Sequence, residues 1–413
     1  MAFDVWARVR HSGALMTEAM PSHPLRIWAL LGPRTGDNNQ VLALAETLGG
    51  AVEPKPLRHG LPRLLALANR LGAAGFAGLD ARSRAALVPP WPDAVIAAGW
   101  RGVAVARWIK ARSGGRALVV GIGRPRCHPS RLDLVVTTPQ YGLPPGPAVL
   151  ELPVCLARQT PERLAEAARH WAGRFDGFPE PRFALLLGGD SSPFRLRPED
   201  ARAACAALVA RAAGRGGSVL AVGSRRTPPT VLNAVRAALE RAPVPAALLG
   251  GTGAENPYPG LLALADEIAV TADSAAMVSD AVAAGRPVGL LPVHAEGLLG
   301  ACLRLARALR LAAEGQPANP LWGAAGRLWD ALVRRGVAGW PRDLWFFWRD
   351  VERRGLAGPV DRPVLGARPA VAQAAAARVR PLLRRSPGPP PADPVGRGGD
   401  PPLPACPDGR GAA

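Results

Sequence analysis

Residues 268–292, IAVTADSAAMVSDAVAAGRPVGLLP, constrain the fold more than any other stretch. Ile268, Ala269 and Val270 form a short apolar run that ends in Thr271, Ala272, Asp273 and Ser274. Met277, Val278, Ala281 and Val282 then recur at spacings that share one helix face. Gly285 stops that helix, Pro287 punctuates, and residues 288–291 read as a second strand. Strand, polar loop, helix, glycine and strand make one turn of a parallel α/β sheet. The polar loop then lies at the carboxyl end of its strand and the amino end of its helix. Open α/β sheets bind their ligands there, and free N–H groups at a helix start receive anions. Two readings of the loop stand side by side: Asp273 and Ser274 only cap the helix, or they cap it and also hold a ligand.

The same unit recurs along the chain. Strands are expected at 27–31 (IWALL), 94–98, 117–122, 132–136, 183–187 (FALLL), 218–222 and 246–249. After the first comes the loop 32–40, GPRTGDNNQ, with a helix from about 41 to 48. Its glycines, arginine and amides suit an anion or an ordinary turn. The loops of the first half carry Arg34, Arg101, Arg124 and Arg126, which can bind a phosphate or carboxylate or simply be solvated. In the second half, Gly188-Gly189-Asp190-Ser191-Ser192 is the most phosphate-like loop, although no GxxxxGK[ST] pattern accompanies it. Ser224-Arg225-Arg226-Thr227 before two prolines is a second candidate anion loop. Repeated units of this kind imply parallel sheets with right-handed crossovers.

Composition sets limits on partners. At 413 residues the chain can bury two cores, and no apolar run reaches the length of a membrane span. The formal charge is +19 with only two lysines, Lys55 and Lys110, so arginine carries it. Such a charge favours nucleotides, phospholipid headgroups or nucleic acid, but no nucleic-acid module is present and nucleic acid is not the expected partner. The five cysteines are scattered with no pair at metal-ligand spacing, so no metal site is expected and a reducing compartment is. The amino-terminal segment places acids and polar residues where a signal peptide needs an apolar core. The expected location is the cytoplasm, with a peripheral position at the inner face of the plasma membrane also open.

Several motifs together carry a resemblance to a known family. GDNNQ after the first strand, Lys55-Pro56-Leu57-Arg58 after the second, SRRTPP, Glu255-Asn256-Pro257-Tyr258 and TADSAAMVS resemble the mitochondrial-fission Elm family, over roughly residues 26–350. The resemblance implies a GT-B-like fold: two facing Rossmann-like domains with carboxy-terminal helices crossing back to the first. The corresponding division is a lead-in at 1–25, a first domain at 26–155 on the acceptor side, and a linker at 156–181. A second domain at 182–320 follows, then helices at 321–385 and a Pro/Gly-rich tail at 386–413 expected to be disordered.

The resemblance also implies a metal-independent glycosyltransferase that uses a nucleoside-diphosphate sugar, needs no other cofactor and acts on a cell-envelope acceptor. The alternative is a non-catalytic scaffold or recruitment protein on the same fold. On the donor side the implied residues are Gly189, Ser191, Ser192, Ser224, Arg225, Arg226, Glu255, Asn256, Tyr258, Thr271, Asp273, Ser274 and Asp280. On the acceptor side they are Gly32, Arg34, Gly36, Asn39, Gln40 and Arg101, with Asp37 as the nominated base against the reading that it only forms an Asx turn. Asp280 stands where the family usually has glutamate, an acid that takes ribose hydroxyls. Tyr258 either stacks on a base or packs into the core. The aromatic patch 340–350 (WPRDLWFFWRD) is a helix packed on the first domain, a membrane contact or a partner surface, and its acids favour packing. A Rossmann-type epimerase is excluded, because its G-x-G-x-x-G and Tyr-x-x-x-Lys are both missing.

Overall fold

A computed structural model describes residues 24–59, 78–250, 255–316 and 320–385 of the chain. The lead-in (but for its last two residues) and the carboxy-terminal tail lie outside the described residues, as do 251–254 of the loop before Glu255. The chain forms the expected α/β architecture, with two six-stranded parallel sheets.

The first sheet holds β1 (Arg26–Leu31), β2 (Ala51–Pro56), β3 (Ala94–Ala98), β4 (Leu118–Ile122), β5 (Leu134–Thr137) and β6 (Val149–Glu151), in the order β2-β1-β3-β4-β5-β6. The second holds β7 (Arg182–Leu187), β9 (Ser218–Gly223), β10 (Ala246–Leu249), β11 (Glu267–Thr271), β12 (Val288–Leu291) and β14 (Gly358–Pro359), in the order β10-β9-β7-β11-β12-β14. Two short strands, β8 (Phe194–Arg195) and β13 (His294–Ala295), pair antiparallel beside it. The central strands are near-continuous apolar runs, buried on both faces, which is what helices covering both sides of a parallel sheet require.

The helices in chain order are α1 (Thr35–Leu48), α2 (Ala81–Ala85), α3 (Gly99–Arg112), α4 (Pro161–Trp171), α5 (Pro198–Ala213), α6 (Pro229–Glu240), α7 (Tyr258–Leu264), α8 (Ala275–Ala284), α9 (Gly297–Ala313), α10 (Pro320–Arg334), α11 (Leu344–Arg353) and α12 (Val371–Arg385). Strand order decides where a ligand fits. In the second sheet the order reverses between β7 and β11, the switch point at whose carboxyl edge open α/β sheets bind their ligands. In the first sheet the same switch falls between β1 and β3.

Carboxy-terminal elements cross back to the first domain, which is the GT-B arrangement. The Asp343 backbone N–H donates to Gln140 O at 2.9 Å, and Arg310 donates to Pro139 O at 3.0 Å. Arg307 clamps the buried Asp343 carboxylate with two bonds of 2.6 and 2.9 Å. Further on, α12 lies along α1, and Arg380 donates to Thr47 O at 3.0 Å. Of the three readings of the aromatic patch, packing holds: Trp340, Phe346 and Phe347 are buried, and Trp348 Nε1 donates to Ala272 O at 2.7 Å.

One element differs from its expectation. Residues 35–40 are the first turns of α1, not a loop before it. Asn38 explains the difference. Its side chain accepts from Gly32 N–H at 2.8 Å and donates to Gly32 O at 2.9 Å, tying off the strand end. The polar run is therefore free to be helical, and Asp37 falls in the first turn, where an acid suits the positive helix end.

Candidate functional site

The β7–β11 switch point is knotted by one carboxylate. Asp273 has no exposed side-chain surface. It accepts from Thr271 Oγ1 at 2.7 Å, from Gly189 N–H at 3.1 Å and from Arg226 Nη2 at 2.9 Å. Burial pushes its carboxyl above the usual range, and Thr271, Arg226 and Gly189 pull it back. Thr271 Oγ1 also accepts from Gly188 N–H at 2.7 Å. Both glycines are needed here because other groups press against them. A Cβ at Gly188 would sit 2.0 Å from Asp273 Oδ1, and one at Gly189 would sit 2.1 Å from Arg226 O.

Thr271, Asp273 and Gly189, implied above as ligand groups, are hydrogen-bonded to one another's loops. Their polar atoms are spent joining three strand-end loops, and Arg226, which also donates to Asp190 O at 3.1 Å, belongs to the same knot. Ser224 is a fourth member, since its hydroxyl donates to Gly188 O at 2.6 Å. A loop of Gly, Ser, Asp and Arg can bind an anion or supply one internally, and here Asp273 is that anion.

Beyond the knot the two domains meet. Ser274 caps α8, its hydroxyl accepting from Met277 N–H at 3.4 Å. The start of α8 stands against the start of α1, where a Cβ on Gly36 would lie 3.2 Å from Ala276 Cβ. Arg225 spans the cleft from the second domain and donates to Thr35 Oγ1 at 3.0 Å. Arg342 enters from the carboxy-terminal segment and donates to Ser191 Oγ at 3.1 Å. Asp37 lies within the field of Arg34 and Arg342; burial raises its carboxyl pKa and the two guanidinium groups oppose the rise. Tyr141 shares that neighbourhood, and burial raises its hydroxyl as well. Gln40 donates to Gly36 O at 3.4 Å and lines a cavity of about 10 Å³ with Gly123, Thr138 and Cys155, about the size of one water. Asn39 is half-buried on the same turn, while Gly32, Arg34 and Ser192 are exposed.

Asp280 sits apart from this meeting point. It is 8% exposed, accepts from Tyr258 Oη at 3.1 Å and is hydrogen-bonded by Gln159. Burial pushes its carboxyl up to about 7, against the opposing pull of both partners. The Tyr258 ring lies against the core and its hydroxyl donates to Asp280. Asn256 Oδ1 accepts from Tyr258 N–H at 3.2 Å, and Glu255 pairs with His170 and Arg174 at the end of α4. That motif secures the entry to α7. Arg101 and Arg126 both lie against Trp100, 5.1 and 5.2 Å from its ring.

Three contributors escaped sequence reasoning. Arg342 lies inside the aromatic patch, one residue before Asp343, the cap of α11; a charged residue among buried rings was the available signal. Gln159 lies in the linker with nothing local to mark it. Ser279 accepts from Cys155 N–H at 2.8 Å and so holds the exit of the first domain against α8.

Comparison with known proteins gives two kinds of similarity. The family described as Mitochondrial fission ELM1 matches residues 35–318. Mitochondrial fission protein ELM1 of Arabidopsis thaliana is 28% identical over 221 residues, 48% of this chain and 51% of that protein. The chain thus spans about half the length of that relative. Among solved structures, Acinetobacter baumannii MurG aligns with a TM-score of 0.40 at 13% identity, over 87% of this chain and 100% of that one. The UDP co-structure of S. aureus MnaA aligns at 0.39 and 12%, over 79% and 95%. The glycosyltransferase SnogD from Streptomyces nogalater aligns at 0.40 and 13%, over 87% and 100%.

Proposed function

The chain belongs to the mitochondrial fission ELM1 family, and from that premise we propose that it binds a nucleoside-diphosphate sugar in the interdomain cleft and transfers the sugar to a cell-envelope acceptor. The observation that carries this reading is the meeting of two helix starts, α1 and α8, with Arg34, Arg225 and Arg342 around them. Free N–H groups and guanidinium groups aimed at one place suit a diphosphate. In the transfer, the acceptor oxygen bonds to the anomeric carbon, the bond from that carbon to the diphosphate oxygen breaks, and a base takes the acceptor's proton. Negative charge builds on the departing diphosphate, and arginine side chains with helix dipoles stabilise it there. Asp37 is our nominee for the base, because burial moves its carboxyl toward the range in which a general base works at neutral pH. Asp280 would read the ribose only if the ligand displaced Tyr258 from its carboxylate.

Calorimetric titration with a panel of nucleoside diphosphates tests the reading. Each arginine contact removed, by Arg225→Ala or Arg342→Ala, should weaken the best ligand by about 1.5–3 kcal/mol. Failure of every nucleoside diphosphate to bind the parent protein refutes the donor site.

A second reading, a scaffold with a closed site, draws on one observation of its own. Gly36 against Ala276, and Arg225 on Thr35, already join the two helix starts. On that reading no nucleoside diphosphate binds, and the arginine substitutions alter only stability.

A further inference from the structure

The helical hairpin of α9 and α10 carries its apolar residues on the wrong side for a buried element. Among the described residues nine large hydrophobic side chains are exposed, and seven of them lie between 298 and 337. On α9, Leu298 and Leu305 lie seven residues apart, with exposed Ala301 and Cys302 between them at helical spacing. On α10, Leu321 and Leu328 repeat the pattern, 82% and 65% exposed, and Trp329 adds an exposed indole. The α10 stripe lies opposite the face that packs inward, where Gly326 approaches Leu309 O so closely that a Cβ would lie 2.6 Å from it. Both helices are thus apolar toward solvent.

The charge around the stripes is one-sided. Residues 297–337 hold six arginines against two acids. Both acids are already paired on their own helices, Glu314 with Arg310 and Asp330 with Arg334. Arg304, Arg327 and Arg335 stand exposed beside the leucines. We propose that this hairpin is a docking face for an anionic lipid surface, with the leucines and Trp329 entering the interfacial layer and the arginines meeting headgroup phosphates. Leucine and tryptophan flanked by arginine on a surface helix suit that environment. A second copy of the chain fits worse, because it would bring the same positive charge against itself. A peptide partner fits worse as well, since the exposed residues are spread over both helices, Leu298 and Leu305 on one and Leu321, Leu328 and Trp329 on the other. Among the described residues no helix is long and apolar enough to cross a membrane, so the contact is one of lying on the surface. The hairpin leaves the second sheet after β12, from the same edge that carries the cleft.

The test is flotation of the full chain with phosphatidylcholine vesicles, with and without phosphatidylglycerol. The parent should float only with the anionic vesicles, and less as salt rises. Arg327→Gln and Arg335→Gln should each lower the bound fraction about fivefold, and Leu321→Glu with Leu328→Glu should abolish flotation while the circular dichroism melt is unchanged. Should the leucine variant fail to fold, the two arginine variants decide. A parent that ignores anionic vesicles overturns the proposal, as do variants that bind like the parent. Equally, a parent that sediments as a dimer dissociated by the leucine changes, with no lipid binding, assigns the face to self-association. Nucleoside-diphosphate titration of the same variants reads the cleft separately, so the two proposals fail independently.

Discussion

Replacing Asp280 with asparagine isolates the cost of burying an acid. In the folded chain its carboxyl is pushed from 3.8 up to about 7, a rise of about three units, and each unit is worth about 1.4 kcal/mol. The folded protein therefore keeps a proton there that the unfolded chain has already released. The stability this group contributes is full below pH 4 and is lost as pH rises through about 7. Above pH 7 the parent bears about 4 kcal/mol that asparagine, uncharged at every pH, does not. Asparagine still accepts from Tyr258 Oη through its one oxygen, so near pH 4 parent and variant should be close in stability. Urea unfolding at pH 5, 6, 7 and 8 measures the difference: the variant should gain on the parent steadily between pH 5 and 7 and level off beyond. Tyr258→Phe should move the same transition to higher pH, since the tyrosine hydroxyl helps to hold the carboxylate form. Stability curves for parent and Asp280→Asn that run parallel from pH 5 to 8 would refute the reasoning.

Two further substitutions probe the framework. Gly189→Ala drives a methyl group into the Arg226 backbone, and urea unfolding should record a loss of about 3 kcal/mol or more; a loss under about 1 kcal/mol would mean that the knot relaxes freely. Asp343→Ala removes the cap of α11 and leaves Arg307 without its buried partner, a change expected to cost about 3–5 kcal/mol and to speed limited proteolysis after Arg342.

The central strands were legible because each is an apolar run that stops at glycine or a polar loop, whereas the edge strands β2 (AVEPKP), β6 (VLE) and β14 (GP) carry no such run. Parallel pairing followed from the helices between the runs. The boundaries of α1 were not legible, since glycine and asparagine mark turns in general and only the Asn38–Gly32 contact shows that the turn is complete before Thr35. Within the candidate site, sequence identified the residues that carry charge but not which of them face one another. Asp273 and Arg226 look like two halves of a ligand site along the chain, and folding makes each the other's ligand. Arg342 lies 151 residues from Ser191, and no local pattern shows that the carboxy-terminal segment brings it into the cleft. The hairpin face was invisible for a related reason: helical spacing of leucines predicts an apolar stripe, and only the packed structure shows that the stripe points outward.

The charge balance of the cleft narrows what the proposed ligand must be. Arg34, Arg225 and Arg342 surround a site into which two helix starts also direct partial positive charge. Asp37 offsets one of these charges, while Asp273 is already committed to Arg226. A neutral sugar or a nucleoside would leave the surplus unanswered. A single carboxylate would answer it only in part. A diphosphate carries charge on two adjacent groups and enough oxygens for several guanidinium and backbone donors at once. Since Arg34 and Arg225 are exposed, water and salt already screen part of the repulsion, which is how the two helix starts can stand together without an anion. The same screening makes binding by this cleft salt-dependent. A ligand held by arginine and helix starts should weaken as ionic strength rises, whereas one held by the buried Asp280–Tyr258 pair should not, and this contrast separates a diphosphate-led site from a ribose-led one.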